Sequence, residues 1–260
     1  QFSQVQALIV EHNQRFLPVM EEGRLVGVIT RGDLLRHLQL DRSKLPEGRG
    51  SDDVEPRFPR PKTFSRLMEE RFPRWIIQLL RRAGPLAEEM GFKVYLVGGA
   101  VRDLLLRIDN LDLDLVVEGD GIAFAQELGR RELCKVSSHL KFKTATLFLP
   151  HGIELDVATA RMEYYDHPGA LPKVEYSSIK RDMARRDFTM NTLAVSLNPS
   201  HFGMVLDFFG AQRDIKERVI RVLHNLSFVE DSTRVFRAIR FEQRFGFQMS
   251  KHTLYLVENA

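Results

Sequence analysis

The sequence predicts an α/β protein built on a small mixed sheet, and three stretches carry that prediction. Lys93-Val94-Tyr95-Leu96-Val97 is a buried-strand run, and after Gly98-Gly99 the spacing of Ala100 to Leu106 becomes helical. Leu111-Asp112-Leu113-Asp114-Leu115-Val116-Val117 alternates, which sends its leucines to one face of a strand and both aspartates to the other. Thr144 to Leu149 and Ile153 to Ala158 flank Pro150-His151-Gly152 and read as a hairpin.

The remaining elements follow in chain order. In residues 1–40, Gln4 to His12 has helical spacing, Phe16 to Met20 and Leu25 to Ile29 read as short strands joined at Glu21-Glu22-Gly23-Arg24, and Gly32 to Leu38 returns to helix. From Asp41 to Thr63 the chain carries Pro46, Pro56, Pro59 and Pro61 and almost nothing apolar, the composition of a linker. Phe64 to Met90 has helix periodicity broken near Pro73 and Gly84-Pro85, and these helices are expected to cover the sheet. Glu118-Gly119-Asp120-Gly121 is a turn, Ile122 to Arg131 a helix, and Arg161 to Pro172 a polar loop with two prolines and a glycine. The expected domains are residues 1–40, a linker over 41–63, an α/β unit over 64–210 and a helical segment over 211–260.

Composition bounds the function. With 260 residues and 43% hydrophobic residues the chain can bury a real core in one large or two modest domains. No apolar run approaches the roughly 18 residues of a membrane span, and no signal-peptide pattern opens the chain. Gln1 is not an initiator methionine and the first segment reads as half a domain, so a fragment of a longer chain is expected. The single cysteine, Cys134, excludes an internal disulfide and suits a reducing cytoplasm. The net charge of +3 permits a nucleic-acid partner without demanding one. P-loop, His-Glu-x-x-His, Gly-x-Ser-x-Gly and paired-cysteine patterns are absent.

Chemistry concentrates around the acidic strand. Like charges about 7 Å apart along one face cost energy unless something positive lies between them, and a hard divalent cation held by oxygen meets that need. Strand, double glycine, helix start is phosphate-binding geometry, because glycine lets the backbone approach a ligand and free helix amides favour an anion. In the second hairpin strand Glu154 and Asp156 share the face opposite Ile153, Leu155 and Val157, so parity offers either as a third carboxylate.

Val97-Gly98-Gly99-Ala100-Val101-Arg102-Asp103, followed by Leu111 to Leu115, resembles the head domain of the class II tRNA nucleotidyltransferase and bacterial poly(A) polymerase family, within the polymerase beta superfamily. The resemblance implies a polymerase beta-type nucleotidyltransferase head with a helical neck. It makes Asp112, Asp114 and Asp156 the catalytic carboxylates and ligands of Mg²⁺, the last aligned through Leu155-Asp156-Val157-Ala158-Thr159-Ala160-Arg161. Gly98, Gly99 and Arg102 would face the triphosphate. Arg185-Arg186-Asp187-Phe188-Thr189-Met190-Asn191 resembles the family's ribose and triphosphate motif, with Arg185 and Arg186 complementing phosphates and Asp187 and Asn191 the ribose hydroxyls. Val205 to Gly210 matches the segment joining head to neck. Asp231 and Arg234, three apart on an expected helix face, match the pair that acts as an amino-acid template for the incoming base. Arg107, where a glycine is common, is the main departure and bears on the loop after the first helix.

Leu17-Pro18-Val19-Met20 and Gly23 to Leu35 resemble the second half of a CBS motif, with Thr30 and Asp33 at positions that hold an adenosine ribose in some members. A complete CBS domain needs a first strand that this chain lacks. The head-domain resemblance implies template-independent addition of AMP, with CMP as the second nucleotide some members add, to the 3′ end of tRNA with release of pyrophosphate. ATP and CTP are the implied substrates and self-association through the CBS unit an implied contact. The alternatives are a poly(A) polymerase and a CBS-based adenine-nucleotide sensor.

Overall fold

The computed structural model of the chain describes residues 5, 16–21, 23–30, 63–164 and 173–259. Near the start, β1 (Phe16–Glu21) and β2 (Arg24–Thr30) pair antiparallel across Gly23, whose φ of 77° suits glycine. Both strands lie where the alternation places them. The helices expected over Gln4–His12 and Gly32–Leu38, residues 41–62 of the linker, Asp33 and the Thr30 side chain lie outside the described residues. Residues 60–166 and 171–223 group into one compact unit, and residues 224–260 belong to another; each is described by itself.

The first unit opens with α1 (Ser65–Arg71) and α2 (Arg74–Glu89), separated at Pro73 as expected. The expected break at Gly84-Pro85 is absent, and α2 runs straight through it. A proline inside a helix costs about 3 kcal/mol. Ile76, Ile77, Leu79, Leu80 and Leu86 are all buried along this helix, and each large side chain recovers roughly 1.5–3 kcal/mol. Gly84 is there for contact: a Cβ on it would lie 2.0 Å from the Leu197 carbonyl oxygen.

The sheet has seven strands in the order β11-β10-β3-β4-β7-β6-β5. They are β3 (Lys93–Val97), β4 (Leu113–Glu118), β5 (Lys135–His139), β6 (Thr144–Phe148), β7 (Glu154–Thr159), β10 (Leu193–Ser196) and β11 (Val205–Asp207). β4 and β7 run parallel, joined through α4 (Gly121–Glu132) and the β5–β6 ribbon, and the other neighbours are antiparallel. β5 escapes the alternation test because Lys135-Val136-Ser137-Ser138-His139 buries neither face fully; it is an edge strand held by backbone pairing to β6.

Two apolar layers sandwich the sheet. Leu113, Leu115, Val117, Leu147, Leu155 and Val157 are at most 1% exposed, and α2 and α4 pack on this side with Ile76, Leu80, Phe124 and Leu128. On the other side Tyr95, Val97, Val116 and Ala194 gather with Ile179 and Met183 of α5 (Ile179–Ala184). Glu118 anchors that helix by accepting the Ile179 N–H at 2.6 Å. α5 therefore covers part of the second face and leaves the carboxylate end of β4 open.

Two further expectations change. Residues 161–172 are not wholly loop: β8 (Arg161–Tyr164) pairs antiparallel with β9 (Lys173–Tyr176), and residues 165–172 lie outside the described residues. Val205 to Gly210 is not just a joining segment, since β11 closes one edge of the sheet, and α6 (Ala211–Glu217) still belongs to this unit. Asp214 of α6 is fully buried and accepts from the Thr189 hydroxyl at 2.7 Å and from Arg221 at 3.0 Å.

The second unit holds α7 (Ser227–Glu230), α8 (Thr233–Phe245) and α9 (Lys251–Glu258). α8 ends on left-handed Gly246 (φ 65°), and Ser250 caps α9 by accepting the Thr253 N–H. Among the described residues no helix is long and apolar enough to cross a membrane.

Candidate active site

β4 begins at Leu113, two residues later than the alternation suggests. Asp112 precedes the ladder, and its N–H donates to Asn110 Oδ1 at 2.8 Å. Register then assembles the carboxylates. The parallel pairing sets Asp114 opposite Asp156, and the antiparallel pairing sets Thr146 opposite Asp156. Paired residues project to the same face, so Asp114, Asp156 and Thr146 form a row across three strands. The Thr146 hydroxyl donates to Asp156 Oδ1 at 2.6 Å. Glu154 lies opposite Phe148, farther along the strand, which separates it from the pair.

The electrostatics follow. Burial, and then the charge of Asp112, push the Asp114 carboxyl up to about 6, with Asp156 adding to the shift and Arg186 opposing it. Half-buried Asp114 thus lies within the fields of exposed Asp112 and Asp156, with too little positive charge beside it. All the donors are hard oxygens, which fits a divalent cation. Among the described residues no three acidic, histidine or cysteine side chains already converge on one point; Asp156 is engaged with Thr146 and Asp112 stands exposed at the strand entrance.

The glycine turn sits against this patch. Gly98 has φ 71° and ψ −135°, backbone that only glycine adopts comfortably. A Cβ there would lie 3.0 Å from Arg186 Nη1 and 3.2 Å from Asp114 Oδ2. α3 (Gly99–Leu106) starts immediately after it, so its first amides open beside the same space.

Arg185 and Arg186 follow α5 and are held by Asp182, which is fully buried. Arg185 Nη2 donates to Asp182 Oδ1 at 2.7 Å and Arg186 Nη2 to Oδ2 at 3.4 Å. Arg186 Nε is buried with no hydrogen-bond partner among the described residues. Arg102 does not stand at the surface: its side chain is 5% exposed, with Nε on Asp103 Oδ1 and Nη1 on Asn191 Oδ1, both at 2.7 Å. Asn191 Nδ2 then donates to Asp187 Oδ1 at 2.9 Å, which also accepts the Phe188 N–H. Arg102 therefore orients the amide of Asn191.

In the second unit Asp231 is not on a helix, as the spacing had suggested. It stands between α7 and α8 with extended backbone (φ −148°, ψ 100°) and accepts from the Thr233 N–H and hydroxyl at 2.9 and 2.6 Å. One residue ahead of the N-cap Ser232, its carboxylate satisfies the first orphan N–H of α8 from outside the helix. Arg234 Nε still lies 3.9 Å from Asp231 Oδ2. Arg234 is mostly buried and donates to Ser227 Oγ at 2.9 Å, with Glu230 3.6 Å away. Glu230 thus adds a second carboxylate beside the Arg234 guanidinium.

Residues 94–221 match the poly A polymerase head domain, and residues 2–40 match the CBS domain. Residues 94–221 therefore carry a poly A polymerase head domain. The matched segment carries Gly98, Arg102, Asp112, Asp114, Asp156, Asp182, Arg185 and Arg186, while Asp231 and Arg234 follow it. The chain is 52% identical over 259 residues to the A-adding tRNA nucleotidyltransferase of Geobacter sulfurreducens, covering 98% of this chain and 29% of that protein. It is 41% identical over 257 residues to the A-adding tRNA nucleotidyltransferase of Aquifex aeolicus, covering 99% of this chain and 29% of that one. The Thermotoga maritima CCA-adding enzyme complexed with tRNA superposes with a TM-score of 0.67 at 48% identity, over 76% of this chain and 44% of that one. The chain thus spans less than a third of the length of these two A-adding relatives. Enzymes of the head-domain family depend on a divalent metal.

The head-domain structure brings Gly98, Asp114, Asp156 and Arg186 together and puts Asp112 at their margin. It also adds residues that the motif reading passed over. Asp182 was legible, being three and four positions before the two arginines on a helix. Thr146 was legible from hairpin register opposite Asp156. Asp103 and Asn110 carry no sequence signal of their role, since their partners are brought to them by the fold.

Proposed function

We propose that this chain transfers AMP to the 3′ end of tRNA and releases pyrophosphate, working as an A-adding nucleotidyltransferase. The observation that carries the reading is the register pairing of Asp114 with Asp156 beside positive-φ Gly98 and Arg186, which juxtaposes a metal-type carboxylate pair with a phosphate-type turn. Asp112, Asp114 and Asp156 would hold the divalent cation, Mg²⁺ in this reading, which when bound acidifies the attacking hydroxyl and neutralises the leaving phosphates. The amides at Gly98 and Gly99 and the guanidiniums of Arg185 and Arg186 bind the triphosphate, and Asp182 keeps both arginines aimed. Asp187 and Asn191 orient the ribose, with Arg102 fixing the Asn191 amide. Asp231 accepts from the exocyclic amino group of adenine or cytosine while Arg234 donates to the adjacent ring acceptor, so a base offering a carbonyl there is refused.

A-addition is preferred over addition of cytidine because the two A-adding relatives match nearly the whole chain, including the stretch ahead of the head. In this reading α7 to α9 serve as the neck, the CBS unit as a self-association contact, and the cytoplasm is the proposed location. The intact protein should be given tRNA lacking CCA, tRNA ending in C and tRNA ending in CC, with ATP and CTP supplied separately. AMP addition confined to the CC-ended substrate is the expected result. Efficient CTP addition to the first would overturn it, and long poly(A) tails on RNAs without a tRNA elbow would favour the poly(A) polymerase. Binding of AMP without any transfer would favour the CBS sensor.

A further inference from the structure

We propose that Asn110 is a positioning residue that ties the loop bearing Asp112 to the buried Asp103–Arg102–Asn191 network, and thereby sets the Asp112 carboxylate for its cation. The inference rests on the nucleotidyl-transfer reading above. Asp112 lies ahead of the first residue of β4, so the sheet ladder does not fix its backbone. Asn110 does that instead, its Oδ1 accepting the Asp112 N–H at 2.8 Å. Its Nδ2 donates to Asp103 Oδ2 at 2.7 Å. Asp103 is 0% exposed, and its other oxygen accepts from Arg102 Nε at 2.7 Å. Arg102 in turn holds Asn191, and Asn191 holds Asp187.

The chemistry of each atom makes the bridge directional. Asn110 must face an N–H with its oxygen and a carboxylate with its amino group, so only one orientation of the amide satisfies both partners. An aspartate could accept from Asp112 but would confront Asp103 with a second negative charge. A serine could keep the local turn, since its hydroxyl can accept from an N–H two residues on, but it cannot reach Asp103. The amide also borders the glycine turn, with Nδ2 3.6 Å from where a Cβ on Gly99 would stand. One continuous set of hydrogen bonds therefore runs from the backbone N–H of Asp112 to the segment that bears Asp187.

The test is Mn²⁺ titration, followed by electron paramagnetic resonance, of the intact protein without nucleotide or RNA. Asn110→Ala and Asn110→Ser are both expected to weaken Mn²⁺ binding about 10- to 100-fold, the range for losing a partner that orients a metal ligand. ATP binding in EDTA should stay within about twofold, and kcat at saturating metal should largely recover. Wild-type Mn²⁺ affinity in Asn110→Ser would show that Asn110 only closes a local turn and would overturn the proposal, and this variant keeps the test decisive if Asn110→Ala fails to fold. Asp112→Ala, measured alongside, should lose the site. If Asp112→Ala loses Mn²⁺ while the Asn110 variants do not, the positioning role alone fails; if Asp112→Ala keeps both Mn²⁺ affinity and transfer, the underlying reading fails.

Discussion

Asp114 concentrates the electrostatic tension of the site. Its folded pKa of about 6 lies above the ordinary value near 3.9, so the folded form holds this proton more tightly than the unfolded chain does. Stability from this group is fully present below about pH 4 and is lost as pH rises through 6. Above that pH the penalty is roughly 2–3 kcal/mol. Asp114→Asn should therefore stabilise the metal-free protein at pH 8 by about that amount and not at pH 4, read by urea unfolding, while abolishing nucleotide incorporation. Equal unfolding midpoints at pH 8 would show that the carboxylate is not desolvated. Gly98→Ala places a methyl group between Arg186 and Asp114 and forces a left-handed alanine, costing about 1–2 kcal/mol. It should raise the KM for ATP at least tenfold.

At the scale of elements, local propensity loses wherever a neighbour must come close. Gly84 lets α2 press on the Leu197 carbonyl, so Gly84→Ala, ordinarily favourable in a helix, should destabilise by about 2 kcal/mol or more in thermal melts. Arg107 shows the reverse. It ends α3 in the left-handed region (φ 56°), and its side chain is not required for that turn. Arg107→Gly should raise stability by about 0.5–1 kcal/mol; an unchanged or lower melting temperature would mean the side chain has an energetic role of its own. Asp231 makes the same point at a boundary, since the i to i+3 spacing with Arg234 survives although the helix containing both does not form.

Taken whole, the molecule distributes the candidate site residues over both compact units. Asp114 and Asp156 lie in the first unit, Asp231 and Arg234 in the second. Asp231→Asn should accordingly relax discrimination against UTP and GTP, because the penalty of facing two acceptors is removed, while Mn²⁺ binding stays at the wild-type level. An unchanged nucleotide profile would reduce Asp231 and Arg234 to an acceptor at the start of α8 and its ion pair.

Sequence alone determined what depends on short-range rules. The alternation of Leu113 to Val117 told which side chains face the core and the glycine pair told where the backbone turns, while the spacing from Asp182 to Arg186 held a further signal, one carboxylate within reach of two guanidiniums, that only the structure brought out. Parity could not choose between Glu154 and Asp156, because a strand repeats every two residues and both satisfy it. The resemblance had picked Asp156, and the physical reason is the parallel pairing of β4 with β7 that sets it opposite Asp114, a contact between segments some forty residues apart whose register no local pattern encodes. The burial of Arg102, the bridge through Asn110 and the passage of α2 across Pro85 were decided in the same way, by packing energies that exist only once distant segments have met.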